Sequence, residues 1–219
     1  VIDKNIISLD IEFEQPSQEI IQIGTVVGNL KTGDILEESC KHINIGKQIS
    51  DKIKQLTNIK QIDIDNGTTL FECYEYLKSI HTFYNCFRNC LTWGGGDSQS
   101  LRTALNLDDE TFLFGRRWID VKTVFISLMW SYGESCKSGL SKSMARIGMN
   151  FNGRKHNAKD DAKNTFLIYR ELLQIMNGEK KLDFNRCKGT RDGKHMLIQK
   201  IGSKTGYICK CCNKEIENG

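Results

Sequence analysis

Along NIISLDIEFE, residues 5–14, apolar and polar positions alternate. Successive side chains of a strand point to opposite faces. The pattern therefore predicts a β-strand with Ile7, Leu9, Ile11 and Phe13 on one face and Ser8, Asp10, Glu12 and Glu14 on the other. EIIQIGTVVG (19–28) predicts a second strand and ILEESCKHINI (35–45) a third, with Gly33 at the tip of the turn between them. Three strands on short connections read as an antiparallel meander. The period then changes. QISDKIKQLTNI (48–59) is short and amphipathic, and TTLFECYEYLKSIH (68–81) sets Leu70, Tyr74, Leu77 and Ile80 at helical spacing. NCFRNCLTW (85–93) and RRWIDV (116–121) predict a fourth and a fifth strand. Between them GGGDSQSL (94–101) reads as a loop leading into a helix. KTVFISLMWSY (122–132) and LSKSMARIG (140–148) predict helices. The strongest helical pattern is HNAKDDAKNTFLIYRELLQIM (156–176), with Ala162, Phe166, Tyr169, Leu173 and Met176 as its apolar stripe. A meander followed by alternating strands and helices predicts the α/β class with a mixed sheet.

The carboxylates on the first strand set a problem. Neighbouring acids repel, and burying them without partners is costly. A solvated strand face is one solution. A divalent cation is the other, because two carboxylates two residues apart on a strand converge, and Mg²⁺ or Mn²⁺ takes hard oxygen ligands. Glu14 is expected to be solvated, and Glu19, opening the second strand, to support the pair from behind.

Composition narrows the class. With 39% hydrophobic and 26% charged residues, the 219-residue chain suits a globular protein with one sizeable core and a small appendage. No apolar run reaches membrane-spanning length. The opening VIDKNIISLD lacks a charged leader and apolar signal core, so the expected compartment is intracellular, the cytoplasm. The nine cysteines are then expected to be reduced, and Cys40, Cys73, Cys86, Cys90 and Cys136 show no metal spacing. Net charge is +4 and uneven: residues 178–219 hold ten Lys/Arg against five Asp/Glu. A basic tail favours a polyanion such as nucleic acid, though a merely solvated tail has the same charge.

Two further acidic positions stand out. Asp97 follows the fourth strand and three glycines at the mouth of a helix, where it is either a helix N-cap or a ligand. His156 and Asp161 lie five residues apart, about 140° around one helix. They converge only if His156 sits in the preceding loop and Asp161 in the first turn. Acids in a first turn are also favoured by the helix dipole alone.

Asp-x-Glu on the first strand, Asp after a later strand and His-x-x-x-x-Asp opening a late helix, in that order, resemble the DEDDh 3′→5′ exonucleases. The stretches EIIQIGTVV, ISDKIKQLTNI, LTWGGGD and GLSKSMARIGMNFNGRKHNAKDDAKN are similar to the enhanced-RNAi type within them. The resemblance covers roughly residues 4–177. The run Gly94–Gly96 and Phe13 depart from the usual pattern, at positions that would meet the terminal nucleotide. What the resemblance implies is an RNase H-like mixed sheet flanked by helices, the DnaQ-like exonuclease fold. It implies two Mg²⁺ or Mn²⁺ ions on Asp10, Glu12, Asp97 and Asp161, with Asp10 bridging them, and His156 as the base. Two ions roughly 4 Å apart activate water and stabilise the leaving oxyanion in phosphodiester hydrolysis, and histidine as a residue type suits a base working near neutral pH. The expected activity is release of nucleoside monophosphates from the 3′ end of single-stranded RNA or of 3′ overhangs. Single-stranded DNA is the alternative substrate, and a catalytically idle nucleic-acid-binding module the alternative class. Phe13 and Trp93 are candidates to stack on the terminal base, and core packing is the other reading of each.

The division expected is an exonuclease domain at 1–177 and a basic tail at 178–219. In the tail, Cys209 and Cys212 have the spacing of half a zinc ribbon, and Cys187 and His195 would complete a Cys₃His site. Cys211 competes as a ligand, and free thiols are the alternative. If bound, zinc there would be structural.

Overall fold

In the computed structural model, the described residues are 4–115, 117–134 and 139–182, with the backbone of three short strands at 197–199, 206–209 and 215–217. Strands β1 (Asn5–Phe13), β2 (Ile20–Asn29) and β3 (Ile35–His42) form the antiparallel meander that the alternation predicts. Strands β4 (Leu91–Thr92) and β5 (Ile119–Asp120) add on in parallel, giving the order β3-β2-β1-β4-β5. Both are much shorter than the predicted 85–93 and 116–121. The earlier part of the fourth segment meets the sheet through an isolated bridge from Asn5 to Cys86 and a hydrogen bond from the Ile119 N–H to the Cys90 carbonyl.

β1 is the central strand, and helices cover both of its faces. Ile7, Leu9 and Ile11 join Leu77 of α3 (Leu70–Phe83) with Phe112 and Phe114 in one core. Ile6 joins the other core, with Phe125 of α5 (Val121–Ser131), Met144 of α6 (Leu140–Arg146), and Phe166 and Leu172 of α7 (Ala158–Met176). Ser8 is buried as well, so the face expected to be polar is apolar at one end and acidic only at the other. Short helices α1 (Asp51–Thr57) and α2 (Gln61–Asp65) close a third cluster around Ile21, Ile49 and Ile64. Helix α4 (Asp97–Ala104) follows β4.

Three expectations are corrected. Glu14 is not solvated: it is 4% exposed, and its carboxylate accepts from the Ser50 backbone N–H at 3.0 Å. The register of β1 on β2 slips between Glu12 and Phe13, so the alternation that would send Glu14 to solvent ends before reaching it. Glu19 pairs with Lys47 at the surface rather than supporting the acids of β1. The buried face of α7 includes Ala158, Ala162, Thr165, Phe166, Ile168, Leu172 and Ile175, whereas Met176 is 57% exposed at the helix end. α7 packs on β1, β2 and α5 at once, and that wide contact draws its buried face away from a single stripe.

Beyond residue 182, β6 (Leu197–Gln199), β7 (Gly206–Cys209) and β8 (Glu215–Glu217) form an antiparallel three-stranded sheet. The zinc ligands predicted at Cys187, His195 and Cys212 lie outside the described residues, as does the side chain of Cys209. Among the described residues no helix is long and apolar enough to cross a membrane.

Candidate active site

The sheet register lays out the floor of the site in two rungs. Asp10 stands opposite Gly24, and Gly24 opposite Cys40; Glu12 stands opposite Gln22, and Gln22 opposite His42. Onto this floor comes the start of α7. A Cβ on Gly24 would lie 1.9 Å from the carbonyl carbon of Ala158, so only a hydrogen fits there. The first helical N–H, that of Ala158, donates to Gln22 Oε1 at 2.9 Å, and Asn157 caps the helix through the Asp160 N–H.

The loop before α7 is fixed just as closely. Asn164, fully buried, donates to the carbonyls of Asn152 and Asp160 at 2.7 Å each and accepts from the Asn152 N–H at 2.9 Å. Asp160 accepts from the Arg154 N–H at 2.8 Å, so it ties down the loop instead of facing the cluster. His156 takes a left-handed backbone, φ 60°, and its N–H donates to Asp161 Oδ2 at 2.8 Å. His156 is thus in the loop and Asp161 in the first turn, the arrangement their spacing requires. One ligand atom each of Glu12, His156 and Asp161 lies within 4.8 Å of the others.

Asp97 arrives from the other side. After β4 the chain turns through Gly94 at φ 103°, a conformation that favours glycine. Asp120 braces this turn, accepting from the Gly94 N–H at 3.0 Å while capping α5 through Thr123. The N-cap of α4 is Gly96, so the capping role is not what places Asp97.

The electrostatics follow from this crowding. Burial, then the charges of Asp161, Asp97 and Glu12, push Asp10 well above the usual carboxylate range. Glu12 is raised to about 7 by burial and by Asp161 and Asp97. Burial and Asp120 raise Asp97 to about 7, and burial raises Asp161 to about 6 against the opposing hydrogen bond from His156. Among the described residues none of Asp10, Glu12 and Asp97 has an ion-pair partner. Four hard oxygen donors held together with a deficit of positive charge fit divalent Mg²⁺ or Mn²⁺, which would reverse each of these shifts.

A cavity of about 550 Å³ opens over Asp10, Glu12, His156 and Asp161, with Trp93 in its wall and Lys142 and Lys155 at its rim. Trp93 also leans on Phe125, with ring centroids 6.0 Å apart, so wall and core roles coincide in it. Phe13 packs half-buried against the first core and does not line this cavity. Sequence reasoning missed Gln22, Gly24, Asp120 and Asn164. A lone glycine in a strand signals close backbone approach, and Asp three residues before Thr123 is a capping pattern. Gln22 and Asn164 carry no such local signal.

The chain matches the exonuclease family of RNase T over residues 1–169. ERI1 exoribonuclease 2 of Mus musculus is 26% identical over 229 residues, covering 92% of this chain and 32% of its own length. The 3′-5′ exoribonuclease 1 of Homo sapiens is 28% identical over 171 residues, covering 71% of this chain and 46% of its own. The chain thus spans less than half the length of either relative. Among solved structures, the nuclease domain of 3′hExo, a DEDDh family member bound to rAMP, aligns with a TM-score of 0.66 at 21% identity, over 82% of this chain and 96% of that one. That likeness bears on the fold, which is the DnaQ-like exonuclease fold.

Proposed function

Because the chain belongs to the RNase T exonuclease family, the DEDDh 3′→5′ exonucleases, we propose that it hydrolyses single-stranded nucleic acid from the 3′ end, RNA in preference to DNA, releasing nucleoside monophosphates. The observation that carries the reading is the convergence of Glu12, His156 and Asp161 beside Asp10 and Asp97, from three distant parts of the chain. In this reading Asp10, Glu12, Asp97 and Asp161 hold two Mg²⁺ or Mn²⁺ ions. Such ions, when bound, activate the attacking water and offset charge on the leaving oxygen. His156, exposed at the cavity mouth, takes the proton of that water. Lys142 and Lys155 at the rim attract the phosphodiester and orient it towards the acids. The Trp93 wall receives the terminal base. The preference for RNA rests on the exoribonucleases among the relatives. For the tail we propose a structural zinc ion on Cys187, His195, Cys209 and Cys212, supported by the Cys-x-x-Cys spacing; the zinc content of the purified protein and of Cys209→Ser tests it.

The test of the main reading uses 5′-labelled single-stranded RNA and DNA of one sequence, in Mn²⁺, Mg²⁺ and EDTA, with Asp10→Ala alongside. A ladder shortening from the 3′ end, abolished by EDTA and by Asp10→Ala and faster on RNA, is the result expected. Binding without cleavage of either polymer would leave only the idle binding module.

A further inference from the structure

Gln22 has no part in the chemistry above, yet it is 1% exposed and engaged at both ends. Its orientation is determined by its neighbours. The Ala158 backbone N–H can only donate, so the Gln22 atom 2.9 Å from it is the carbonyl oxygen. The amide NH₂ therefore faces His42 Nε2, 2.8 Å away, and donates to it. To accept, His42 must offer a lone pair at Nε2, which the imidazole has only when neutral with its proton on Nδ1.

We propose that Gln22 and His42 form a proton-sensitive mount for the catalytic end of α7, in which neutral His42 fixes the Gln22 amide so that it holds Ala158, and protonation of His42 releases it. A proton taken up at Nε2 sets an N–H against the amide NH₂. Rotating the amide relieves that contact but turns the NH₂ towards the Ala158 N–H, which is fully buried and has no water to turn to. One bond of the chain Ala158–Gln22–His42 is lost either way. Ala158 lies two residues after His156 and three before Asp161, so both ride on it. The surroundings favour the neutral ring: burial lowers the His42 pKa, while Asp63 of α2 opposes this. Lys159 and Asp160 of α7 act on Cys40, one rung along, and Glu12 of β1 stands opposite Gln22. Gln22 is thus a positioning residue acting through Ala158. Its importance for activity rests on the site assigned above, but the mount itself can be observed without metal or substrate.

The experiment follows the His42 ring and the Ala158 amide by NMR from about pH 4.5 to 8 in the full chain, in Gln22→Glu and in Gln22→Met. In the native protein, Ala158 amide exchange, corrected for its intrinsic pH dependence, should lose about tenfold or more protection with the same midpoint as His42 protonation. A glutamate at position 22 accepts from Ala158 and from His42 alike, so Gln22→Glu should raise the His42 midpoint and keep Ala158 protected on both sides of it. Gln22→Met should weaken Mn²⁺ binding at pH 8 by about tenfold or more, the usual effect of losing a residue that orients ligands. Protection of native Ala158 unchanged through the His42 transition, or a Gln22→Glu variant that titrates like the native chain, would overturn the proposal. If Gln22→Met does not fold, Gln22→Glu decides alone, since its expected shift has the opposite sign. An idle site would abolish cleavage yet leave these NMR results standing, so the two readings fail separately.

Discussion

Asp97→Asn should destroy the nuclease and, without metal, make it more stable. In the folded protein Asp97 and Glu12 are raised to about 7 from 3.8 and 4.5, and Asp161 to about 6 from 3.8. Between those limits the folded chain keeps protons that the unfolded chain has released. Stability therefore falls as pH rises from about 4 through about 7, and Asp10, raised well above the usual range, adds to the fall. Groups held low act in the opposite sense: Glu72 and Asp108 have contributed in full by about pH 5, while His42 and His81, lowered by burial, offset part of the fall up to about pH 6.5. At roughly 1.4 kcal/mol per pH unit, an isolated acid raised from 3.8 to about 7 would cost about 4 kcal/mol at pH 8. Asp97 is half-buried rather than sealed, so water screens part of that, leaving about 1–3 kcal/mol for deleting its charge. For a chain of this size each kcal/mol moves Tm by about 2–4 °C. Thermal melts of EDTA-treated protein should show the native Tm falling from pH 5 to pH 8, and Asp97→Asn melting about 2–12 °C higher at pH 8. Mn²⁺ should raise the native protein more than the variant. A native Tm that is flat or rising over this range without metal, or a variant that melts lower, would refute the reasoning.

Three other substitutions probe the scaffold. Gly24→Ala forces a methyl into the Ala158 carbonyl, so it should cost about 1–3 kcal/mol in melts and, by moving Asp161 and His156 together, about a hundredfold or more in single-turnover rate. Asn164→Ala removes two hydrogen bonds to Asn152 of the His156 loop and one to the Asp160 carbonyl of α7; kcat should fall with little change in KM, and hydrogen exchange at residues 152–156 should accelerate. Glu14→Ala leaves the Ser50 N–H without its acceptor, and denaturant unfolding should show a loss of about 1–3 kcal/mol while cleavage below the transition is retained.

The sequence located the residues that come together but not what brings them there. A period of two put Asp10 and Glu12 on one strand face without excluding a solvated face, and spacing let His156 and Asp161 converge across a loop–helix junction; the order of the motifs, resembling the DEDDh exonucleases, singled out the set. Glu14 was misread because a register slip of one residue leaves no trace in the alternation. The short ladders of β4 and β5 escaped because apolar runs around Leu91 and Ile119 look the same whether they pair along their length or merely pack. Gln22 and Asn164 were silent because their partners, Ala158 and Asn152, are backbone groups that any sequence would offer. Tertiary hydrogen bonds to the main chain are written in geometry, not in residue types.

The two halves of the acidic cluster come from opposite ends of the exonuclease domain, Asp10 and Glu12 from β1 and Asp161 with His156 from the start of α7. During synthesis the meander leaves the ribosome long before the residues that complete it. A nascent or truncated chain ending before residue 156 therefore carries three acids of the set, Asp10, Glu12 and Asp97, but neither the loop histidine nor the helix aspartate. In the reading proposed above, such a chain is no attenuated nuclease but an inert sheet with an uncovered apolar face. On that reading, placing Asp161 and His156 at the start of α7 makes completion of that helix a condition for cutting.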